Sequence, residues 1–140
     1  MTESATSNVR ILFVDDEEKS CKYFAIIFGE EFDVLTAKDG AEALEIALSG
    51  EHGEIGVVVT DQIMPRLTGL DFLEELMKHD PRITRVLSTA FTDSELVTDA
   101  VESNLVDYFI GKPWDIEKLQ SILHRAVAHY LENKAQSGAA

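Results

Sequence analysis

The sequence predicts one α/β domain built on a doubly wound, five-stranded parallel sheet, and three observations support that fold class. Short runs rich in β-branched residues alternate five times with runs whose apolar residues recur at helical spacing. The run IGVVVT at 55–60 is apolar throughout, which is typical of a central parallel strand covered on both faces. A chain of 140 residues can bury one substantial core but is short for two domains. Because crossovers between parallel strands are right-handed, we expect helices on both faces of the sheet.

The first half of the chain supplies three strands and two helices. VRILFV at 9–14 is predicted to be the first strand, and the apolar residues over 19–29 have helical spacing. FDVLTA at 32–37 is the second strand, and a helix over 39–48 follows it. The apolar run at 55–60 is then the third strand. Two strand–helix units are complete at this point and a third has begun.

The second half continues the alternation. A helix over 68–80 leads to a fourth strand, TRVLSTA at 84–90. A helix over 92–103 leads to a fifth strand, VDYFI at 106–110. The last helix begins after Asp115 and carries one apolar stripe. We expect that stripe to face the core.

Capping signals mark the start of three predicted helices. In each, a residue with a side-chain oxygen is followed three positions later by an acidic residue, as in a capping box. The pairs are Asp39 with Glu42, Thr68 with Asp71, and Thr92 with Glu95. These signals fall where the apolar periodicity also begins, so two independent features place the same helix starts.

The folded domain is predicted to span 9–132, with a flexible segment at 1–8 and a flexible tail at 133–140. Both end segments, MTESATSN and NKAQSGAA, are short of apolar residues. Near the tail we expect Tyr130 to be an exception to the buried stripe and to face a partner. Cys21 lies among apolar helix positions and is predicted to be a small core residue in a reducing compartment.

Charge and hydropathy exclude several classes of partner. The formal net charge of −14 disfavours direct binding to nucleic acid, because phosphate contacts need a basic face. No apolar run approaches the roughly 20 residues of a membrane-spanning helix. The polar, acidic start lacks the basic and apolar regions of a signal peptide, so we expect a cytoplasmic protein.

Polar residues follow four of the five predicted strands. In doubly wound sheets the functional crevice lies at the carboxyl ends of the strands, so these residues should converge. They are Asp15 and Asp16 after the first strand, Asp61 after the third, Ser88 and Thr89 in the fourth, and Gly111, Lys112 and Pro113 after the fifth.

Three clustered carboxylates need positive charge nearby. At 4 Å and an effective dielectric of 20, each pair repels by roughly 4 kcal/mol. Lys112 supplies one positive charge, and a divalent cation would supply two. A small site with only oxygen ligands suits Mg²⁺ or Mn²⁺.

The motifs VDDE, TDQIMP with the later Gly69, STA and FIGKPW resemble those of the receiver domain of two-component response regulators. The resemblance extends from Val9 to Tyr130. It implies a chemotaxis-regulator-like, (βα)5 flavodoxin-like fold with strand order 2-1-3-4-5. The chain would then be a signalling phosphoacceptor in a phosphorelay and not an enzyme, assisting only its own phosphorylation and dephosphorylation.

The resemblance also assigns roles to the residues of the cluster. Asp61 resembles the phosphoacceptor, which takes a phosphoryl group from a kinase phosphohistidine in a Mg²⁺-dependent reaction. Asp15 and Asp16 resemble the metal-binding pair, completed by Asp61 and the main-chain carbonyl of Ile63. Lys112 resembles the family's lysine, which binds the phosphoryl group.

Two further pairs of residues have implied roles in switching and in phosphate lifetime. Thr89 resembles the switch hydroxyl and Phe109 the switch aromatic, which together alter the face made by the fourth helix, fifth strand and fifth helix. Ile63 and Phe91 occupy the positions that modulate the lifetime of the aspartyl phosphate, and both are apolar. A cis peptide bond before Pro113 is also implied.

The implied partners are a histidine kinase or phosphotransfer protein and a downstream target, which is either a separate protein or a covalently linked output domain. A homodimer is possible on the switching face. The alternative is a receiver that binds partners without being phosphorylated. The sequence leaves open the cognate kinase, the output and whether the domain stands alone.

Overall fold

The fold is an alternation of five strands and five helices in a computed structural model. The structure describes residues 9–89 and 94–139, the side chains of 94–97 and 138–139 excepted. In chain order the elements are β1 (Val9–Val14), α1 (Glu18–Phe28), β2 (Asp33–Ala37), α2 (Gly40–Ser49), β3 (Glu54–Asp61), α3 (Gly69–His79), β4 (Thr84–Thr89), α4 (Ser94–Glu102), β5 (Tyr108–Gly111) and α5 (Ile116–Ala139).

The strands form one parallel sheet in the order β2-β1-β3-β4-β5, which confirms the predicted fold class and strand order. Right-handed crossovers and the reversal of strand order after β2 place α1 and α5 on one face and the other three helices on the opposite face. β1 and β3 lie inside the sheet, and the residues Ile11–Val14 and Val57–Val59 are fully buried. The continuous apolar runs of the sequence therefore form strands that are covered on both faces of the sheet, as predicted.

Aromatic packing joins α1 and the segment between β5 and α5 to the sheet. The Phe13 ring of β1 stacks on Phe24 of α1, with centroids 4.2 Å apart, and meets the edge of Trp114 at 5.5 Å. Burying a ring of this size contributes roughly 1.5–3 kcal/mol. Cys21 is half buried beside this cluster and donates its thiol to the Asp15 carbonyl at 3.4 Å. Burial raises the pKa of that thiol to about 11, so Cys21 is a packing residue, as predicted.

Two of the three predicted caps are present in the described part of the chain. The Asp39 carboxylate accepts from the Glu42 N–H at 2.8 Å, and the Thr68 hydroxyl accepts from the Asp71 N–H at 3.2 Å. The Glu42 carboxylate in turn accepts from the Lys38 N–H at 2.8 Å. The start of the predicted helix at 92 lies outside the described residues.

Helix α5 extends further than the sequence predicts. Where we expect a flexible tail at 133–140, the helix continues to Ala139. Lys134, Ala135 and Gln136 are good helix formers, and two contacts hold this stretch to the body of the domain. Lys134 pairs with the Glu54 carboxylate, and the Asn133 amide reaches the Arg82 carbonyl at 3.5 Å.

The expectation that Tyr130 faces a partner is wrong. Tyr130 is only 3% exposed, and its hydroxyl donates to the Glu54 carboxylate at 2.6 Å. Its ring packs over Gly56, where an added Cβ would lie 2.6 Å from the ring. Tyr130 therefore ends the buried stripe of α5. Among the described residues, no helix has both the length and the hydrophobicity needed to cross a bilayer.

Candidate functional site

The predicted acidic cluster forms at the carboxyl edge of the sheet. Asp61 is the last residue of β3, and Asp15 directly follows β1, the neighbouring strand. One ligand oxygen from each of Asp15, Asp16 and Asp61 lies within 4.8 Å of the others. The structure thus brings together three carboxylates that are up to 46 positions apart in the sequence, counting from Asp15 to Asp61.

Asp15 is the buried member of the cluster, with 1% of its surface exposed. Its Oδ1 accepts from the Glu17 N–H at 3.0 Å, while its Oδ2 is buried with no hydrogen-bond partner among the described residues. Burial raises the pKa of the Asp15 carboxyl, and the charge of Asp61 raises it further, against a lowering by the Glu17 N–H and Lys112. An orphaned, desolvated carboxylate oxygen of this kind is expected to have a partner beyond the side chains present.

Lys112 provides the positive charge that the cluster predicts. Its Nζ lies 2.8 Å from Asp61 Oδ1, and the two side chains are 33% and 13% exposed. The Lys112 N–H donates to the Thr89 carbonyl at 3.1 Å, so the residue is also tied to β4. The peptide bond between Lys112 and Pro113 is cis, as the resemblance implies.

The loop after Asp61 is fixed by contacts that sequence reasoning missed. The Gln62 carbonyl accepts from the Gly69 N–H at 3.0 Å, and its side-chain Oε1 accepts from the Leu70 N–H at 2.9 Å. Gly69 lies so close that a Cβ there would be 2.3 Å from the Asp61 carbonyl oxygen. Only glycine permits this approach, and the start of α3 is therefore pressed against the backbone of Asp61.

Three of the remaining predicted site residues lie in the described strands and loop around the acidic cluster. Thr89 ends β4 next to it, and Phe109 is a half-buried residue of β5, paired in register with Leu87. Ile63 is 82% exposed on the loop after β3. Phe91 falls outside the described residues.

An apolar surface on α1 borders the cluster, and the sequence analysis did not single it out. Tyr23 and Ile26 are 62% and 73% exposed. Tyr23 also lines a cavity of about 240 Å³ together with Lys112 and Trp114. The available signal was that neither Tyr23 nor Ile26 lies on the face marked by Phe24 and Phe28, the buried positions of the helix, which are four residues apart. We call Tyr23, Ile26 and the 39% exposed Ile27 the α1 patch.

The cluster fits a hard divalent cation. It offers carboxylate oxygens only, one of them the orphaned Oδ2 of Asp15, and Asp16 is exposed at its mouth. Oxygen ligands with room for water are what Mg²⁺ or Mn²⁺ prefers. The three aspartates could therefore hold such an ion beside Lys112.

Comparison with known proteins finds transcriptional regulatory proteins among the relatives of this chain. The chain is 35% identical over 117 residues to the hydrogenase transcriptional regulatory protein HoxA of Cupriavidus necator, a match that covers 84% of this chain and 24% of that protein. It is 32% identical over 123 residues to the transcriptional regulatory protein ZraR of Escherichia coli, covering 87% of this chain and 27% of that protein. The chain thus spans about a quarter of the length of these curated relatives.

A solved structure and a family model complete the comparison. The signal receiver domain of an HD domain-containing protein from Pseudomonas fluorescens superposes with a TM-score of 0.85 at 24% identity, covering 96% of this chain and 97% of that one. This likeness shows the shared fold. The family model of the response regulator receiver domain matches residues 11–124. The chain therefore belongs to the response regulator receiver domain family of two-component signal transduction systems.

Proposed function

We propose that Asp61 accepts a phosphoryl group from a phosphohistidine, and that the resulting aspartyl phosphate switches the face formed by α4, β5 and α5. The observation that carries this proposal is the position of the Asp61 carboxylate, 2.8 Å from the Lys112 ammonium within the three-aspartate cluster. A nucleophile, a fixed cation and a set of metal-ligating oxygens are the groups that phosphoryl transfer requires.

In the proposed reaction an Asp61 oxygen attacks phosphorus in line with the donor histidine nitrogen. The oxygen–phosphorus bond forms as the phosphorus–nitrogen bond breaks, the electron pair of that bond stays on the imidazole nitrogen, and this nitrogen takes up a proton from water. Lys112 shifts from Asp61 to a phosphoryl oxygen, and the Thr89 hydroxyl donates to another. Catalysis then comes from positioning and from neutralising the charge of the phosphoryl group.

Mg²⁺ or Mn²⁺, held by Asp15, Asp16, Asp61 and the Ile63 carbonyl, would supply the positive charge that lets a phosphoryl dianion approach three carboxylates. Lys112 alone leaves the cluster with net negative charge. Asp15 is well suited as a ligand, because its buried Oδ2 lacks a partner among the described residues. Asp16 is exposed and completes the pair from the solvent side.

The switch is proposed to pass from Thr89 to Phe109. Movement of the Thr89 hydroxyl toward the phosphoryl group opens space behind it, into which the Phe109 ring can turn. Phe109 also lines a cavity of about 340 Å³ with Trp114 and Ile122, so the ring has room on the α5 side. Since phenylalanine has no hydroxyl to leave unpaired, the inward state should already be populated before phosphorylation. NMR relaxation that finds a single outward Phe109 rotamer would contradict this.

The α1 patch supports a protein phosphodonor as partner. One of its side chains, Tyr23, lines the same cavity as Lys112, so a helix carrying the donor histidine could pack on α1 with the histidine facing Asp61. The downstream partner, a separate protein or a linked output domain, would bind the α4-β5-α5 face, on which a second copy could also dock. The chain then acts as a signalling phosphoacceptor and turns over no separate substrate.

The test is to incubate the protein with phosphoramidate and Mg²⁺ and to measure its intact mass. We expect the addition of one phosphoryl group, which is lost in Asp61→Asn and when EDTA removes the metal. The competing reading is a receiver that binds partners without phosphorylation. An unmodified mass under these conditions, with native fold retained, would favour that reading.

A further inference from the structure

Arg85 is a buried cation that the proposed chemistry does not use. It lies at the amino end of β4, away from the aspartate cluster, and only 7% of its surface is exposed. Desolvating a guanidinium is unfavourable unless its N–H groups are satisfied. A buried arginine at such a position therefore needs a structural reason.

The Arg85 guanidinium binds the main chain of two loops. Nε donates to the Leu105 carbonyl at 2.9 Å, and Nη2 donates to the Asn104 carbonyl at 3.3 Å. Nη1 donates to the carbonyls of Ile83 at 3.0 Å and Pro81 at 3.3 Å. One side chain thus joins the loop that precedes β4 to the loop that connects α4 to β5.

The main chain of Arg85 also binds the loop that connects α4 to β5, through Asp107. Its N–H donates to Asp107 Oδ2 at 2.8 Å, and its carbonyl accepts from the Asp107 N–H at 2.8 Å. The Asp107 carboxylate also lies 3.9 Å from Arg85 Nη2, a distance at which the two charges attract. Asp107, directly before β5, is therefore fixed to Arg85 in three ways.

Strand β5 depends on these anchors because it is short and lies at the edge of the sheet. It has four residues and pairs with β4 alone. Lys112 follows it at the other end, where its N–H bonds to the Thr89 carbonyl. A strand with few ladder bonds can shift along its neighbour, and a shift of one residue reverses every side chain.

We propose that Arg85 is a positioning residue for Lys112: by fixing residues 104–107 to the start of β4 it sets the position of β5, and so the place at which the Lys112 ammonium meets Asp61. The proposal rests on the proposed role of Lys112 in phosphoryl transfer. A loosened β5 would displace the ammonium, and a misplacement of about 1 Å can cost roughly a hundredfold in rate.

The test compares Arg85→Met with Thr84→Val. Thr84 is a buried neighbour on β4 whose hydroxyl donates to the Ala126 carbonyl on α5, so its variant loses stability without touching the β5 connection. We expect Arg85→Met to slow phosphorylation by phosphoramidate about tenfold or more per folded molecule. It should also speed hydrogen exchange at the N–H groups of Asp107 and Lys112. Thr84→Val should change neither quantity beyond what its stability loss explains.

Further variants separate positioning from general destabilisation. Asp107→Asn keeps an acceptor for the Arg85 N–H and should retain the wild-type rate of phosphorylation. Asp107→Ala removes that acceptor and should show the slower phosphorylation and faster exchange expected of Arg85→Met. It therefore tests the proposal even where Arg85→Met folds poorly. In a Lys112→Ala background, Arg85→Met should slow phosphorylation little further, because both substitutions act through the Lys112 ammonium. Rate and exchange in Arg85→Met equal to those of Thr84→Val, or independent effects of Arg85 and Lys112, would overturn the proposal.

The two proposals can fail separately. If the wild-type protein takes up no phosphoryl group, the proposed role of Asp61 is wrong. The rate of hydrogen exchange at the Lys112 N–H in Arg85→Met then still shows whether Arg85 holds β5. A phosphorylated wild type together with unchanged exchange in both Arg85→Met and Asp107→Ala rejects only the role of Arg85.

Discussion

Lys112 Nζ lies 2.8 Å from Asp61 Oδ1, although β3 and β5, the strands at whose ends the two residues lie, are not neighbours in the sheet. Asp61 ends β3 and Lys112 follows β5, with β4 between them. The lysine reaches across the end of β4 while its own N–H is bonded to the Thr89 carbonyl. The ion pair therefore depends on the alignment of β3, β4 and β5 at the site.

Replacing Lys112 with alanine should slow phosphorylation of Asp61 by about a hundredfold, as expected on removing a charged group that stabilises the transition state. Phosphoramidate with Mg²⁺ and intact mass at timed intervals give the rate. Lys118→Ala, an exposed lysine on α5, is the matched control and should retain the wild-type rate. Equal rates for the two variants would remove Lys112 from the reaction.

Mg²⁺ should stabilise the fold, because it relieves the repulsion among Asp15, Asp16 and Asp61. At a concentration a hundredfold above its Kd the gain is about 2.7 kcal/mol. Thermal unfolding with and without EDTA measures it. Asp16→Ala should abolish both the gain and phosphorylation, while making the metal-free protein more stable through the loss of one repelling charge. Glu18→Gln, an exposed acid in the first turn of α1, should keep the response. A metal response that survives Asp16→Ala would place the ion elsewhere.

Most of the fold and the acidic site could be predicted because each aspartate directly follows an apolar run whose ends the sequence marks. The course of α5 beyond residue 132 could not, since no apolar periodicity continues there. That segment is held by the contact of Lys134 with Glu54, 80 positions earlier in the chain. The burial of Tyr130 has the same origin, because it depends on Gly56 leaving room for the ring. Such contacts between distant residues leave no local pattern in the sequence.

The α1 patch should matter for a protein phosphodonor and not for a small one. Tyr23→Ala with Ile26→Ala should lower the rate of transfer from a phosphorylated histidine phosphotransfer domain by about tenfold, the loss typical of an interface anchor. The rate with phosphoramidate should be unchanged. Leu48→Ala, a 40% exposed apolar residue on α2, serves as the control and should leave both rates intact. A parallel loss with both donors would mean that the double variant disturbs the site itself.

The aspartyl phosphate should be long-lived if, as we propose, the apolar side chain of Ile63 shields it from water. Ile63 is 82% exposed, so a polar replacement costs little stability. Ile63→Asn combined with Phe91→Glu should speed phosphate loss about tenfold, equivalent to 1.4 kcal/mol in the barrier. The decay of the phosphorylated mass after removal of the donor gives the rate. An unchanged decay, with Leu48→Asn as the surface control, would show that these positions do not admit the hydrolytic water.

Glu54 should stabilise the end of α5 in a way that depends on pH. Hydrogen bonds from Lys134 and Tyr130 hold the pKa of the Glu54 carboxyl below its ordinary value. Because the folded-state pKa is lowered, the stabilisation is present above the unfolded value of about 4.3 and is lost as the pH falls through the folded value. Glu54→Gln should therefore lower the free energy of unfolding by about 1 kcal/mol at neutral pH, a value that allows for the partial exposure of the carboxylate.

The difference in unfolding free energy between wild type and Glu54→Gln should shrink as the pH is lowered below about 4, measured by urea denaturation at each pH. Glu51→Gln, an exposed glutamate on the loop before β3, should show no comparable difference at any pH. Amide exchange over 133–139 adds a local readout, since loss of the Glu54 contacts should free the last turns of α5 before the rest of the domain. A Glu54→Gln difference that stays constant from neutral to acid pH would mean that the carboxylate charge does not hold the helix.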